Sequence, residues 1–578
     1  LAIGVYFHGR QLVKPQAATH VDAEEMTRSQ IGAIGTIGII GEAAGGEPGI
    51  VQSFLNPVTA RNVLKDGDLL TGLEICYNPS SDVDKFPGAY RTKAIRVNPA
   101  TKATGKILDV GSADWINLQS NDWGSRQTQI RFKITQGTVK TENEGVDGFL
   151  LTIEDTLEDI VEIGDNLGPT FKVRYLGNAS TAQLTITSSQ VSIVLAGDQT
   201  DGSEDLVIDT TKSSYNTVLE IVNHINTFNP FYEAVVLGDN NLDTTELDAV
   251  TSQDVKANYY VCVAYKETFL NFMNTIGDLV TGTFVGSANQ QPQIIGWTFL
   301  SGGSEGSVIP QDWQDALDLF QSESVDIVLV MTEDEAIHQL LSAHNNYMSA
   351  NGRKERTSPI GHPLAEEANP NLILARARNL NSSRVVLCTP GINRYNRLGQ
   401  LEQLSSAYTA CAYAGMAASA DLQEPLTYDY INAVGLTTQY SDEQMDEFLL
   451  GGVSPVESVE NQGYRIVQSI TTYLKSDNTL YREWNVQRIA DSISKNMREE
   501  LEASFIGTGG TLDKPSQMKR TVERILKDMI ADGRIVSYKP PNVVLEQGVA
   551  RIDYEVSPTE PINYILITTH FKSARLTA

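Results

Sequence analysis

The residue types that carry most enzyme and ligand chemistry are present in this chain, but not at the spacings that chemistry needs. A phosphate loop requires a glycine-rich turn with a lysine before Ser or Thr. Gly302-Gly-Ser-Glu-Gly-Ser lacks the lysine, and Gly38-Ile-Ile-Gly-Glu-Ala-Ala-Gly-Gly departs from the dinucleotide spacing and runs into Pro48. Both read as turns. The histidines His8, His20, His224, His338, His344, His362 and His570 contain neither HxxxH nor HExxH, and His338 and His344 are too far apart to share one helical face. Asp198-Gln-Thr-Asp-Gly-Ser-Glu-Asp has the look of a calcium loop, yet lacks the bidentate Glu at the required offset, so a β-turn is expected. There is no Gly-x-Ser-x-Gly elbow, and with 72 Asp+Glu, pairs such as Glu24-Glu25 and Glu499-Glu500 carry no signal for catalysis. No catalytic residue, metal or cofactor is assigned. Interaction chemistry remains. Arg488, Lys495 and Arg498 fall roughly on one stripe of a predicted helix near 485–505, and Ile489, Ile493 and Leu501 mark its apolar stripe. Such a helix buries one side and presents cations on another.

The elements around these residues predict a multidomain α+β chain. Residues 1–25 read as an N-terminal arm. Ile3, Val5 and Phe7 alternate weakly, and the stretch is too poor in apolar residues to make a core. Residues 26–110 begin an α/β middle domain, with strands at Gly35–Gly41 and Tyr90–Val97 and helical spacing at Ala60–Leu64 and Leu69–Tyr77. Residues 111–300 change texture: short β-branched runs separated by Gly, Asn and Asp turns, and one clear helix over Tyr215–Phe228. This is an inserted, mostly-β domain. Residues 301–440 return to α/β, with strands at Val325–Met331 and Arg384–Thr389 and a small-residue helix at Ser405–Ala420. Residues 441–578 form an α+β C-terminal domain with two long helices, near 485–505 and 515–532. Two closing strands follow, Val543–Val556 and Ile562–Phe571, and the segment after Thr569, with Phe571, is a second arm.

At 578 residues the chain exceeds one core. No apolar run approaches the roughly 20 residues of a bilayer span, and no basic-then-apolar leader pattern occurs. Cys76, Cys262, Cys388 and Cys411 are scattered, which suggests buried thiols and not a disulfide framework. The net charge of −28 argues against a sequence-independent nucleic-acid binder, which would need a basic face. That charge is uneven: residues 482–578 hold 14 Lys+Arg against 13 Asp+Glu, so the remainder carries a balance of −29. The asymmetry suits a particle with an acidic outside and a different inner face.

The order of several segments resembles that of contractile phage tail sheath proteins, in particular those of large phages of Gram-positive bacteria. The resemblance is carried by Ile37-Gly-Ile-Ile-Gly-Glu-Ala-Ala-Gly-Gly-Glu-Pro, Gly67-Asp-Leu-Leu-Thr-Gly-Leu-Glu, Tyr77-Asn-Pro and Ala94-Ile-Arg-Val. It continues through Trp123-Gly-Ser-Arg, Leu300-Ser-Gly-Gly-Ser-Glu-Gly, Gly463-Tyr-Arg-Ile-Val-Gln-Ser-Ile-Thr-Thr and Tyr481-Arg-Glu-Trp-Asn-Val-Gln-Arg. The inserted β domain matches least. The family implies a structural virion protein and not an enzyme. It implies stacked hexameric rings around a tail tube protein, which contract to drive the tube through the host envelope. It implies contacts with baseplate and tail terminator proteins, assembly in the host cytoplasm, and no nucleic-acid or direct membrane contact. It further implies terminal arms that add strands to neighbouring subunits, here through Ile3, Val5, Phe7 and Phe571. The C-terminal domain is then expected at the inner radius, with Arg488, Lys495 and Arg498 facing the tube. The competing class is a non-contractile structural virion protein, a tube or a receptor-binding adhesin. An α/β enzyme using Val325–Met331 as a nucleotide-binding strand has no phosphate loop to support it.

Overall fold

A computed structural model describes residues 5–7, 10–12, 35–137, 148–287, 289–546, 549–563 and 565–569. The fold is mixed α+β, divided among many small sheets.

Long apolar runs build the centre. Thr36–Gly41, Ile327–Val330 and Val385–Thr389 are buried almost throughout, as strands covered on both faces must be. One sheet runs Ile327–Val330, Thr36–Gly41, Arg91–Arg96, Val51–Phe54, and only the last pairing is antiparallel. A second runs Ser358–Ile360, Val385–Thr389, Val453–Val459, Gly463–Ile466, Tyr430–Ile431. A parallel bridge between Ile327 and Thr357 links the two. On one face lie Asp68–Tyr77 and the small-residue helix Ser406–Ser419, which is buried nearly from end to end. Gly415 permits that approach, because a Cβ there would sit 2.4 Å from the Cys76 carbonyl oxygen. The other face is covered by Pro310–Phe320, Glu335–Ala350, Asp442–Leu450 and Pro370–Leu380, the last a helix that the periodicity did not signal.

The glycine runs have packing roles. A Cβ on Gly38 would meet the Phe320 ring at 2.9 Å, and one on Gly41 would meet Met331 at 2.9 Å. The Gly302 loop joins strand bridges Thr101–Ser304 and Thr104–Ser301 and brings Glu305 to the buried Arg96. The Asp198–Asp205 carboxylates turn onto backbone amides instead of converging: Asp198 accepts from Thr200, Asp201 from Ser203 and Asn178, and Asp205 from Leu195. All four cysteines are buried and free. Among the described residues, no helix is long and apolar enough to cross a membrane.

Between Lys102 and Phe299 the chain makes four antiparallel sheets around two cores, one holding Trp115, Phe132, Phe149 and Phe269, the other Phe171, Leu184, Ile193 and Ile221. The expected helix is Val218–Phe228, shorter than predicted because Thr217 and Glu220 form a capping box, and a second one, Tyr265–Asn271, was not anticipated. The β-rich layer begins before residue 111, since Lys102–Leu108 pairs with Asp114–Trp123.

At the C-terminal end, Trp484–Phe505 and Lys514–Ala531 pack through Ile489, Ile493, Met497, Val522, Ile525, Leu526 and Met529. The closing strands differ from expectation. Asn542–Glu546 and Val549–Asp553 pair with each other, and Val556–Pro558 pairs with Ile535–Tyr538. Ile562, Asn563 and residues 565–569 are in none of the described sheets. A half-buried strand needs alternation, which Ile552, Tyr554 and Val556 supply by packing on the helices. Ile565, Leu566 and Ile567 are apolar at successive positions and have no such face.

Candidate assembly surface in the C-terminal region

The first long helix owes its placement to its own N-terminal half. Trp484, Val486 and Ile489 are buried, and the polar residues between them are buried too. Arg488 is 2% exposed. It lies over the Trp484 ring, 5.7 Å from its centroid, and donates to the carbonyl of Ala417 in the last turn of Ser406–Ser419. The C-terminal carbonyls of a helix lack intrahelical partners and carry partial negative charge, so a cation is stabilised there. Burial lowers the Arg488 pKa to about 10, opposed by Asp326 and Asp491. Asp491, one turn on, takes a bidentate pair from Arg384 at 2.8 and 2.9 Å. Burial pushes its carboxyl up, and Arg384 opposes this.

Further along, Lys495 reaches Asp326 at 3.6 Å, whose other oxygen accepts from the amides of Gly35 and Thr36 at 3.1 Å. Arg498 makes a bidentate pair with Glu355, both bonds 2.8 Å. Burial alone would raise the Glu355 pKa, but the Arg498 hydrogen bonds and charge bring it below the ordinary glutamate value.

The expectation that Arg488, Lys495 and Arg498 form an exposed cationic stripe is therefore corrected. They share a stripe, and that stripe docks the helix onto the α/β centre of its own chain. The physical reason is the desolvation cost of unpaired buried charge: cations brought against this body are stable there only because Ala417, Asp326 and Glu355 meet them.

A cluster of exposed cations sits on the second helix. Val522, Ile525, Leu526 and Met529 form its apolar stripe, with Arg520 and Lys527 on the opposite side and Lys519 flanking it. None of these three makes an ion pair with a described residue, whereas Arg524 pairs with Glu500 and Asp528. Sequence reasoning passed over them. Their signal was present, as the Lys514–Ala531 segment contains five cations and only Glu523 and Asp528 as acids, but composition did not say which helix would be covered.

The arms are partly visible. Val5–Phe7 pairs with Arg10–Leu12 as a local antiparallel hairpin, while Ile3 and Phe571 lie outside the described residues. Near the other end, the chain is tied down through Asn563. The Thr559 amide donates to Arg534 O at 3.0 Å, the Thr479 hydroxyl to Glu560 at 3.0 Å, and Asn563 Nδ2 to Glu483 Oε1 at 2.9 Å. Beyond this point Ile565, Leu566 and Ile567 are 78%, 95% and 83% exposed. Residues 565–569 make no backbone hydrogen bond to any described residue. An exposed apolar segment with no strand partner among the described residues is a template for pairing with another chain.

The exposed apolar tail is a feature of association, and comparison with known proteins places the chain among structural proteins. The family model described as the phage tail sheath protein central domain matches residues 306–472. The tail sheath protein of Bacillus phage SP01 is 30% identical over 580 residues, covering 98% of this chain and 97% of the relative. That of Staphylococcus phage Twort is 24% identical over 608 residues, with 99% of each covered. Among solved structures, the sheath tail protein from Desulfitobacterium hafniense aligns with a TM-score of 0.55 at 15% identity, over 95% of this chain and 97% of that one. The sheath tail protein from Listeria innocua gives 0.54 at 13%, over 91% and 92%. These two show a shared fold. With the full-length relatives and the matched central domain, they make this chain a member of the phage tail sheath protein family, a structural component of the virion.

Proposed function

We propose that the protein polymerises as stacked hexameric rings around a tail tube, and contracts by repacking largely rigid subunits to drive the tube through the host envelope. Family membership supports the frame. The observation that carries the assembly step is the C-terminal tail: Ile565, Leu566 and Ile567 are apolar, exposed, and in no sheet with the described residues. Strand addition to a second copy satisfies such a segment, and the two-stranded sheets at Ile535–Tyr538 and Asn542–Glu546 have open edges that can receive one. In this reading Ile3, Val5, Phe7 and Phe571 belong to the exchanged arms. The β-rich insertion, taken as residues 111–300, lies at large radius, and the C-terminal unit meets the tube. The tube-facing role passes from Arg488, Lys495 and Arg498 to Lys519, Arg520 and Lys527, which remain available in the folded chain. The partners are further copies, the tube protein, and the baseplate and tail terminator proteins at the ends.

Deletion of residues 1–20 tests the arm. The expected product is a folded, dispersed subunit that no longer forms long cylinders in negative stain; cylinders of normal length from this variant would refute strand exchange by that arm.

A further inference from the structure

The C-terminal tail does not leave the subunit at an arbitrary place. Among the described residues, the last side chain with a hydrogen bond is Asn563, and the group that fixes it is the Glu483 carboxylate, 5% exposed at the start of Trp484–Phe505. Glu483 Oε1 accepts from Gln468 Nε2 at 2.6 Å and from Asn563 Nδ2 at 2.9 Å. The Glu483 backbone is itself held by a bridge to Ile470. Three segments of the chain therefore meet at one oxygen. Glu483 Oε2 and Asn563 Oδ1 are buried without a partner, so the junction is specified by a single donor–acceptor contact from the tail.

We propose that Glu483, acting through Asn563, is the positioning residue that fixes the departure point, and so the pairing register, of the C-terminal strand offered to a second copy. The inference rests on the strand-addition reading above. An extended chain advances about 3.3–3.6 Å per residue, so the last anchored residue sets which positions of a neighbour's sheet Ile565–Ile567 reach. A slip of one residue moves every side chain to the opposite face of the sheet. For Ile565 and Ile567 on one face and Leu566 on the other, that slip exchanges what is buried.

The test uses the full chain, with Asn563→Asp, Asn563→Ala, the double variant Asn563→Asp with Glu483→Gln, and a truncation after Asn563. Asn563→Asp sets two carboxylates against each other. In the double variant the amide introduced at position 483 keeps an oxygen for Gln468 and offers its Nε2 to the carboxylate introduced at position 563, which restores the contact with its polarity reversed. Measurements are hydrogen exchange at residues 559–563 in dispersed subunits, the pelletable fraction after assembly, and the melting temperature. Asn563→Asp is expected to speed exchange at least tenfold and cut polymer at least fivefold at an unchanged melting temperature. Asn563→Ala follows in the same direction, and the double variant recovers both readouts. Wild-type assembly by Asn563→Asp, or no recovery in the double variant, overturns the positioning role when the truncation fails to assemble. A truncation that assembles normally overturns the strand-addition reading itself.

Discussion

The two C-terminal helices both carry cations and put most of them to opposite use. Trp484–Phe505 turns Arg488, Lys495 and Arg498 inward, onto a helix terminus and two carboxylates of the α/β centre. Lys514–Ala531 leaves Lys519, Arg520 and Lys527 in solvent. The helices differ in what lies beneath them. The first is sandwiched between the α/β centre and its partner helix, while the second rests mainly on that partner and the small sheets. A charge on the first helix is part of the fold; a charge on the second is free to act between molecules.

This contrast yields graded expectations. Asp491→Ala leaves Arg384 buried without its carboxylate, and should cost about 3–5 kcal/mol of stability, read as a large fall in denaturant midpoint. A loss under about 1 kcal/mol would mean that the first helix is not held by its ion pairs.

Acid should act next, on the body to which that helix docks. His338 and His344 are buried, and burial lowers the pKa of each to about 4. Their folded values lie below the unfolded one, so the unfolded state takes up protons first as pH falls. Stability is full above about pH 6.5 and declines by about 1.4 kcal/mol per pH unit for each histidine down to about pH 4. Chemical denaturation across this range checks it, and a flat profile between about pH 6.5 and about pH 5 would contradict it.

Arg498→Ala removes a pair that is 23% exposed on the arginine side and 8% on the glutamate, and should cost about 1–2 kcal/mol. Charge reversal of Lys519, Arg520 and Lys527 together should shift stability by less than about 0.5 kcal/mol. The same variant should coat tubes poorly, and its coating should lose the wild-type dependence on salt. Unimpaired coating across a salt series would remove these residues from the contact and leave the helix a solvated face.

Much of the chain was legible because local pattern and tertiary role coincide. Thr36–Gly41, Ile327–Val330 and Val385–Thr389 lie within continuous apolar runs, and burial on both faces is what such runs demand. The helices at 484–505 and 514–531 follow from their 3.6-residue spacing. Pro370–Leu380 escaped notice because Arg376 interrupts its apolar face; it is buried there by a bidentate bond to Glu366, a partner visible only once the chain is folded.

The sequence by itself determined the succession of elements, the acidic balance and its neutral end, the lack of metal and nucleophile spacings, and the family resemblance. These are properties of neighbours along the chain and of composition. Only the tertiary structure decided which cations are consumed and which are offered, that the tail is tied at Asn563 with residues 565–569 in none of the described sheets, and that the closing strands pair locally. A helix presents the same stripe whether a carboxylate or water stands opposite, and that partner comes from residues more than a hundred positions away, Asp326 and Glu355 for the first helix and none among the described residues for Lys519, Arg520 and Lys527 of the second.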